Sequence, residues 1–282
     1  GTASSVNLSL TLPRADTYYW NYYANDTSNN VAFNNTNFTL VYSPTTINNC
    51  TTLDSTNTVY TLSSNLVPSG STCLTITASN VTLDCSGYTI SNVTFDSTAI
   101  FSSANMTTIK NCDIILGLAT SAYGVSFAKA NRSLITNTTV RASGNGINLN
   151  QTFETNINRV TIYNSSNGIF ISVYSSNNTV ANSTFSNSTN GVFLQGTGFA
   201  TKNNTIVNGT FSYNAVGVKF TNTQDSAVIS SSFINQTTAA IQTDSLTSLS
   251  NFTLNVMHSN RIGYSLGSDS DIIRDGLING SS

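Results

Sequence analysis

A spacing of about 23 residues runs through most of this chain, and no other feature limits its fold so tightly. An apolar residue is followed five positions later by a second one at Leu83/Tyr88, Ile109/Ile114, Ile135/Val140, Ile157/Ile162, Val180/Phe185, Ile206/Phe211, Val228/Phe233, Phe252/Met257 and Ile272/Leu277. Successive pairs begin 20 to 26 residues apart. Ahead of most pairs lies another short run, usually opened by glycine: Gly124-Val-Ser-Phe, Gly146-Ile-Asn-Leu, Gly168-Ile-Phe-Ile, Gly191-Val-Phe-Leu, Gly217-Val-Lys-Phe and Gly263-Tyr-Ser-Leu. These runs alternate with a period of two, as strands do. Each repeat is therefore three short strands joined by turns rich in Asn, Ser and Gly. A unit that small cannot bury its own apolar face, so neighbours must stack.

The expected fold is all-β: a right-handed parallel β-helix of about nine or ten coils over residues 46–282. At about 4.8 Å per coil this is a rod of roughly 45 Å. Residues 1–45 do not follow the repeat and form a separate N-terminal β segment. A β-sandwich with strands every 8 to 12 residues is the rival, but it leaves the longer period unexplained.

Charge is scarce. Only 8% of residues are charged, while Ser, Thr and Asn make up roughly 44% of the chain; an ordinary globular domain is about 25% charged. With Lys+Arg 10, net charge -2 and no basic cluster, nothing offers a footprint for a phosphate backbone, and nucleic acid is excluded as a partner. No apolar run is long enough to span a bilayer; the longest, Ile114 to Phe127, is broken by Thr120, Ser121 and Ser126. The chain starts at Gly1 without a basic or hydrophobic leader, which fits a mature form or a fragment.

Two positions after the first apolar residue of each pair comes a turn column: Cys85, Asn111, Asn137, Arg159, Asn182, Asn208 and Ser230. Asn tolerates left-handed backbone, and its amide can bond the same amide one coil on. An inward-pointing ladder is expected there. The cysteines Cys50, Cys73, Cys85 and Cys112 show no metal spacing, so disulfides and an oxidising compartment are expected, with four buried thiols as the alternative. Cys112 lies one position beyond the turn column that holds Cys85, which favours a bridge between adjacent coils and leaves Cys50 with Cys73.

Asn-x-Ser/Thr acceptors number about twenty. One set falls just before the first apolar residue of a coil: Asn80, Asn105, Asn131, Asn177, Asn203 and Asn251. A second follows the partner residue: Asn92, Asn164, Asn187, Asn235 and Asn279. Stacked, these would form two outward stripes of N-glycans coating a weakly charged rod. Asn137, Asn182 and Asn208 belong to the expected inward ladder and should stay bare. No other cofactor is expected.

The Gly-Ile-x-Leu strand, the Asn-x-Thr-Ile turn and the period resemble the β-helix repeat of NosD-like and carbohydrate-associated secreted proteins. The stretches Ser71-Thr-Cys-Leu-Thr-Ile and Asn80-Val-Thr-Leu-Asp-Cys-Ser-Gly-Tyr-Thr-Ile are similar to the start of many archaeal surface β-helix proteins. The resemblance covers roughly residues 46 to 282. It implies a fold rather than a function, because such folds host lyases, hydrolases, adhesins and structural rods.

The acids Asp54, Asp84, Asp96, Asp113, Glu154, Asp225 and Asp244 scatter over different coils, with none of the paired carboxylates of glycoside hydrolysis and no calcium constellation. Asp269, Asp271 and Asp275 with Arg274 read as a solvated turn, and His258 as a surface or turn residue. The chain is therefore expected not to be an enzyme. A Thr-lined ice-binding face is also discounted, because the threonines mostly belong to turns. Open β-helix edges invite pairing, and Val6-Asn-Leu-Ser-Leu-Thr-Leu12 alternates strictly. The expectation is an extracellular structural glycoprotein that joins copies of itself head to tail, with Val6, Leu8, Leu10 and Leu12 setting the register. A self-capping role for residues 1–45 is the bland alternative; the functional ones are a carbohydrate-binding adhesin, with the aromatics of residues 18–23 as its densest candidate surface, and behind it a degenerate polysaccharide lyase- or hydrolase-like β-helix.

Overall fold

A computed structural model describes residues 16–21, 23–25, 28–33, 36–92, 98–117, 122–142, 144–198, 201–268 and 270–280. The chain divides into two compact units, Gly1–Thr45 and Thr46–Ser282. In the first, Asp16–Trp20 runs antiparallel to Phe38–Tyr42, and Tyr23–Asn25 antiparallel to Val31–Phe33. Trp20 stacks on Phe38 at 4.4 Å. Val6, Leu8, Leu10 and Leu12 lie outside the described residues.

The second unit is a right-handed parallel β-helix of about nine turns, with no helix among the described residues. Its turns build an 18-stranded sheet, folded into two limbs, and a 10-stranded sheet. The five-residue pairs are the two limbs: one inner column runs Leu83, Ile109, Ile135, Ile157, Val180, Ile206, Val228, Phe252, and the other Ile114, Val140, Ile162, Phe185, Phe211, Phe233, Met257. Two end pairs differ from the expected register. Leu83 is partnered by Ile90, not Tyr88, because Ser86 and Gly87 add a turn at that corner, closed by Tyr88 N–H donating to the Cys85 carbonyl at 2.8 Å. In the last turn Ile273 and Ile278, not Ile272 and Leu277, continue the core columns.

The glycines of the 10-stranded sheet have a steric cause. A Cβ on Gly191 would lie 2.6 Å from both the Gly217 carbonyl oxygen and a Phe211 ring carbon; one on Gly168 would lie 2.9 Å from Phe185 and one on Gly217 2.5 Å from Phe233. The limb-two rings thus lie against bare backbone, stacked on one another at 4.9 Å (Phe185–Phe211) and 4.7 Å (Phe211–Phe233).

Three corners join the sheets, and they share one construction. At each corner a residue with positive φ faces solvent, and the next residue turns inward. Corner one, after the 10-stranded sheet, has Asn80, Met106, Arg132, Glu154, Asn177, Asn203, Asp225 and Leu249 in the left-handed region; corner two, between the limbs, has Asn111, Asn137, Arg159, Asn182, Asn208, Ser230 and Leu254; corner three, before the 10-stranded sheet, has Asn164, Asn187, Tyr213, Asn235 and Ser259. The bend takes the next N–H away from the strand ladder, and a buried N–H needs a partner. At most of these positions the side chain of the equivalent residue one coil on supplies it, as when Gly209 N–H donates to Ser231 Oγ; Val160 and Gly209 themselves have no side-chain acceptor to offer. At corner three Ser165 N–H donates to Ser188 Oγ, Ser188 to Asn214 Oδ1, Asn214 to Gln236 Oε1 and Gln236 to Asn260 Oδ1, at 2.9–3.2 Å. Corner one repeats this through Thr155, Asn178, Asn204 and Ser226.

The expected inward ladder is therefore one residue out of phase. Asn137, Asn182 and Asn208 are exposed, and Thr138, Ser183 and Gly209 point inward. The exposed amides do form a ladder, outside: Asn137 donates to Asn111 at 2.7 Å and Asn208 to Asn182 at 3.3 Å. Disulfides join Cys50 to Cys73 and Cys85 to Cys112. Such bonds persist outside the reducing cytoplasm.

Candidate functional site

The outer face of the 10-stranded sheet is the surface on which the fold concentrates recognition chemistry. Strands Asn145–Asn150, Asn167–Ser172, Asn190–Gln195 and Val216–Thr221 lie in register. Their alternation sends Ile and Leu inward and leaves a central outward column of Phe101, Ser126, Asn148, Phe170, Phe193 and Lys219. Phe170 and Phe193 lie 5.3 Å apart, and the Lys219 ammonium sits 5.3 Å over the Phe193 ring. Beside them runs an amide column in which Asn167 donates to Asn145 and Asn190 to Asn167, each at 2.8 Å. This hydrogen bonding fixes the amide planes and leaves each Asn with further donor and acceptor capacity. Tyr174 and Phe153 are exposed on corner one, at the margin of this sheet.

Sequence reading missed this face, although its signal was present. In Gly168-Ile-Phe-Ile and Gly191-Val-Phe-Leu the middle residue must point outward if its neighbours point in, and an aromatic there needs a reason beyond the core.

The carboxylates do not gather on that face; no acid lies on its described strands. Asp84 accepts bonds from Asn111 at 2.9 Å and Ser86 N–H at 2.8 Å and pairs with Lys110 at 3.1 Å. Burial alone would raise its pKa, but these bonds and the Lys110 charge outweigh it and hold the carboxyl below the usual value. Asp244 accepts from Asn222 N–H, Leu246 N–H and Thr247 Oγ1. The structure brings it near Asp271, which the scattered sequence positions did not suggest. Burial raises the Asp271 pKa, the Asp244 charge adds to the rise, and a backbone bond from Ser250 opposes it. Asp271 is the last rung of the corner-one ladder rather than part of a solvated turn, and Asp269 lies outside the described residues. His258 and Asp275 are exposed. No group of three or more potential metal ligands is found among the described residues, and none of their helices is long and apolar enough to cross a membrane.

The expected glycan acceptors fall into classes. Asn80, Asn164, Asn177, Asn187 and Asn203 are exposed corner residues with positive φ, and Asn235 is a half-buried one. Asn105, Asn251 and Asn279 are exposed and Asn131 half-buried, next to corners. Asn92 is a correction: it is 5% exposed, and its amide donates to the Pro68 carbonyl at 2.7 Å, which leaves no room for a sugar. The corners also explain why these triplets recur. A left-handed Asn, a buried small polar residue and a Thr opening the next strand spell Asn-x-Thr, as in Asn203-Asn204-Thr205 and Asn182-Ser183-Thr184.

The repeat region matches the family model described as the right-handed β-helix region, over residues 72–201 and 145–280. No curated protein matches the chain. Among solved structures it is similar to the A-module of the mannuronan C-5 epimerase AlgE4 of Azotobacter vinelandii, at 13% identity and a TM-score of 0.55, covering 84% of this chain and 81% of that one. The periplasmic alginate epimerase AlgG is similar at 10% identity and a TM-score of 0.53, covering 80% and 77%. The enzymatically active domain of tailspike protein 2 of bacteriophage CBA120 is similar at 12% identity and a TM-score of 0.61, covering 81% and 45%. At such identities the likeness is one of fold. It nevertheless overturns the expectation that the chain is not an enzyme, because the similar structures include two alginate or mannuronan epimerases, a glycoside hydrolase and an enzymatically active phage domain. Scattered acids in the sequence were no ground for excluding activity, since the fold brings distant coils together. The resemblance to archaeal surface proteins finds no counterpart in these comparisons.

Proposed function

We propose, for a chain that belongs to the right-handed β-helix family, an extracellular or cell-surface role in which it engages a polysaccharide along the outer face of its 10-stranded sheet. The observation that carries this reading is the Phe170–Phe193 platform beside the Asn145–Asn167–Asn190 amide column. Sugar rings present apolar C–H faces and equatorial hydroxyls; an aromatic platform suits the first and amides, which both donate and accept, suit the second. Coils about 4.8 Å apart repeat these contacts along the rod, as a polymer requires. The names of similar structures support the substrate class. Electrophoresis through gels containing a soluble β-glucan, mannan, xylan or polyuronate tests it. At least one polymer should retard the protein, and Phe170→Ala with Phe193→Ala should weaken that retardation on the order of tenfold or more. No retardation by any polymer, or equal retardation of the double variant, would sink the reading.

A second reading, a subunit of a head-to-tail surface filament, is supported by the strictly alternating segment Val6-Asn-Leu-Ser-Leu-Thr-Leu12, whose pattern suits pairing with an open β-helix edge. Electron microscopy of the protein should then show fibres that deletion of residues 1–12 abolishes. Dispersed particles at every concentration would rule this out.

A further inference from the structure

Corner three carries one residue that its own geometry does not favour. The left-handed position is Asn in three of its turns, at Asn164, Asn187 and Asn235, and Ser259 in another; in the turn between Asn187 and Asn235 it is Tyr213, with φ 57°. Asn adopts this backbone readily, whereas a bulky side chain resists it. The ring gains no burial in return, being 58% exposed, and among the described residues no hydrogen bond to its hydroxyl is found. Its backbone N–H does what every other residue of the column does, donating to the Ile234 carbonyl one coil on at 3.1 Å. The fold therefore needs a left-handed residue here, but it does not need a tyrosine. Met106, Leu249 and Leu254 hold the same backbone at the other corners while similarly exposed, so strain alone does not mark a site; at Tyr213 it coincides with a depression.

The surroundings indicate which function. Tyr213 borders a shallow depression of about 520 Å³ that is also lined by Asn164, Ser166, Asn187 and Thr189. Ser166 and Thr189 directly precede Asn167 and Asn190, so the depression opens onto the amide column of the 10-stranded sheet. Hydroxyls, amides and one exposed ring converge there, with no charged side chain in the lining.

We infer that Tyr213 is a binding residue that stacks against a sugar ring at the edge of the sheet, extending the polysaccharide site of the preceding section around corner three. The ligand class is an uncharged saccharide unit: its C–H face lies on the phenol, and its hydroxyls bond the amides of Asn164 and Asn187 and the hydroxyls of Ser166 and Thr189. The inference rests on the polysaccharide reading and adds a residue and a direction to it.

The test substitutes Tyr213→Asn, which restores the residue type of the neighbouring turns, with Tyr213→Phe as its partner. Affinity electrophoresis is run against the same four polymers on protein freed of N-glycan, because Asn164 and Asn187 both open Asn-x-Ser/Thr triplets. Thermal melts are recorded alongside. Tyr213→Asn should melt higher than wild type while its dissociation constant for the retarding polymer rises on the order of tenfold, and Tyr213→Phe should bind within about twofold of wild type. A lower melting temperature for Tyr213→Asn would show that the tyrosine is structural and overturn the inference, as would unchanged binding. If no polymer retards even the wild type, the polysaccharide reading itself fails, and this inference falls with it.

Discussion

At the scale of single residues, the second unit is organised by a pair of adjacent corner positions with opposite demands. The first must accept left-handed backbone in water; the second must be small or flexible, polar and buried, because it satisfies an N–H from the coil before it. Asn214 shows both sides of this arrangement. It accepts from Ser188 N–H and donates to the Phe185 carbonyl at 3.1 Å, with its side chain fully buried. Asn214→Ala should therefore cost about 1–3 kcal/mol for each of the two groups left unpartnered, read as a lower urea midpoint; an unchanged midpoint would show that the ladder contributes nothing. Sequence periodicity found the corresponding column at corner two but placed it one residue too early. A strand's alternation assigns inward and outward by parity, and a left-handed residue breaks the parity. For the same reason Asn137, Asn182 and Asn208 read as inward and are exposed; Asn92, read as an outward acceptor, follows the regular alternation of its strand inward and bonds the Pro68 carbonyl.

At the scale of strands, legibility follows repetition. The limb pairs from Ile109/Ile114 to Phe252/Met257 were readable because seven coils repeat one spacing. The two end pairs slipped where the spacing changes, at the Ser86-Gly87 turn and in the shortened last coil. The leading glycines were visible as punctuation, but their cause lies across the core in the Phe185, Phe211 and Phe233 rings. Gly191→Ala should accordingly destabilise by about 1–3 kcal/mol through overpacking, since its Cβ would meet the Gly217 carbonyl oxygen, which is backbone and cannot rotate away. A variant as stable as wild type in urea would mean that the sheets separate more easily than this packing implies. The outward column of Phe170, Phe193 and Lys219 was equally present in the alternation. It went unread because an aromatic in a strand is ordinarily assigned to the core, and only strand register shows that its flanking residues already fill it.

At the scale of the molecule, a parallel β-helix repeats each outward position at a fixed step, so a surface motif becomes a track. Polymers are the natural ligands of such a track. The amide and aromatic columns lie on the same sheet, the disulfides tie the first turns together, and no carboxylate lies on the described strands of that face. The most direct test of the account is a crystal structure of the protein soaked with an oligosaccharide of whichever polymer retards it. The account predicts sugar rings lying over Phe170 and Phe193, with hydroxyls bonded to the half-buried Asn145 and Asn167. Sugar bound on a limb of the 18-stranded sheet or at the last turn, with the 10-stranded face empty, would contradict it.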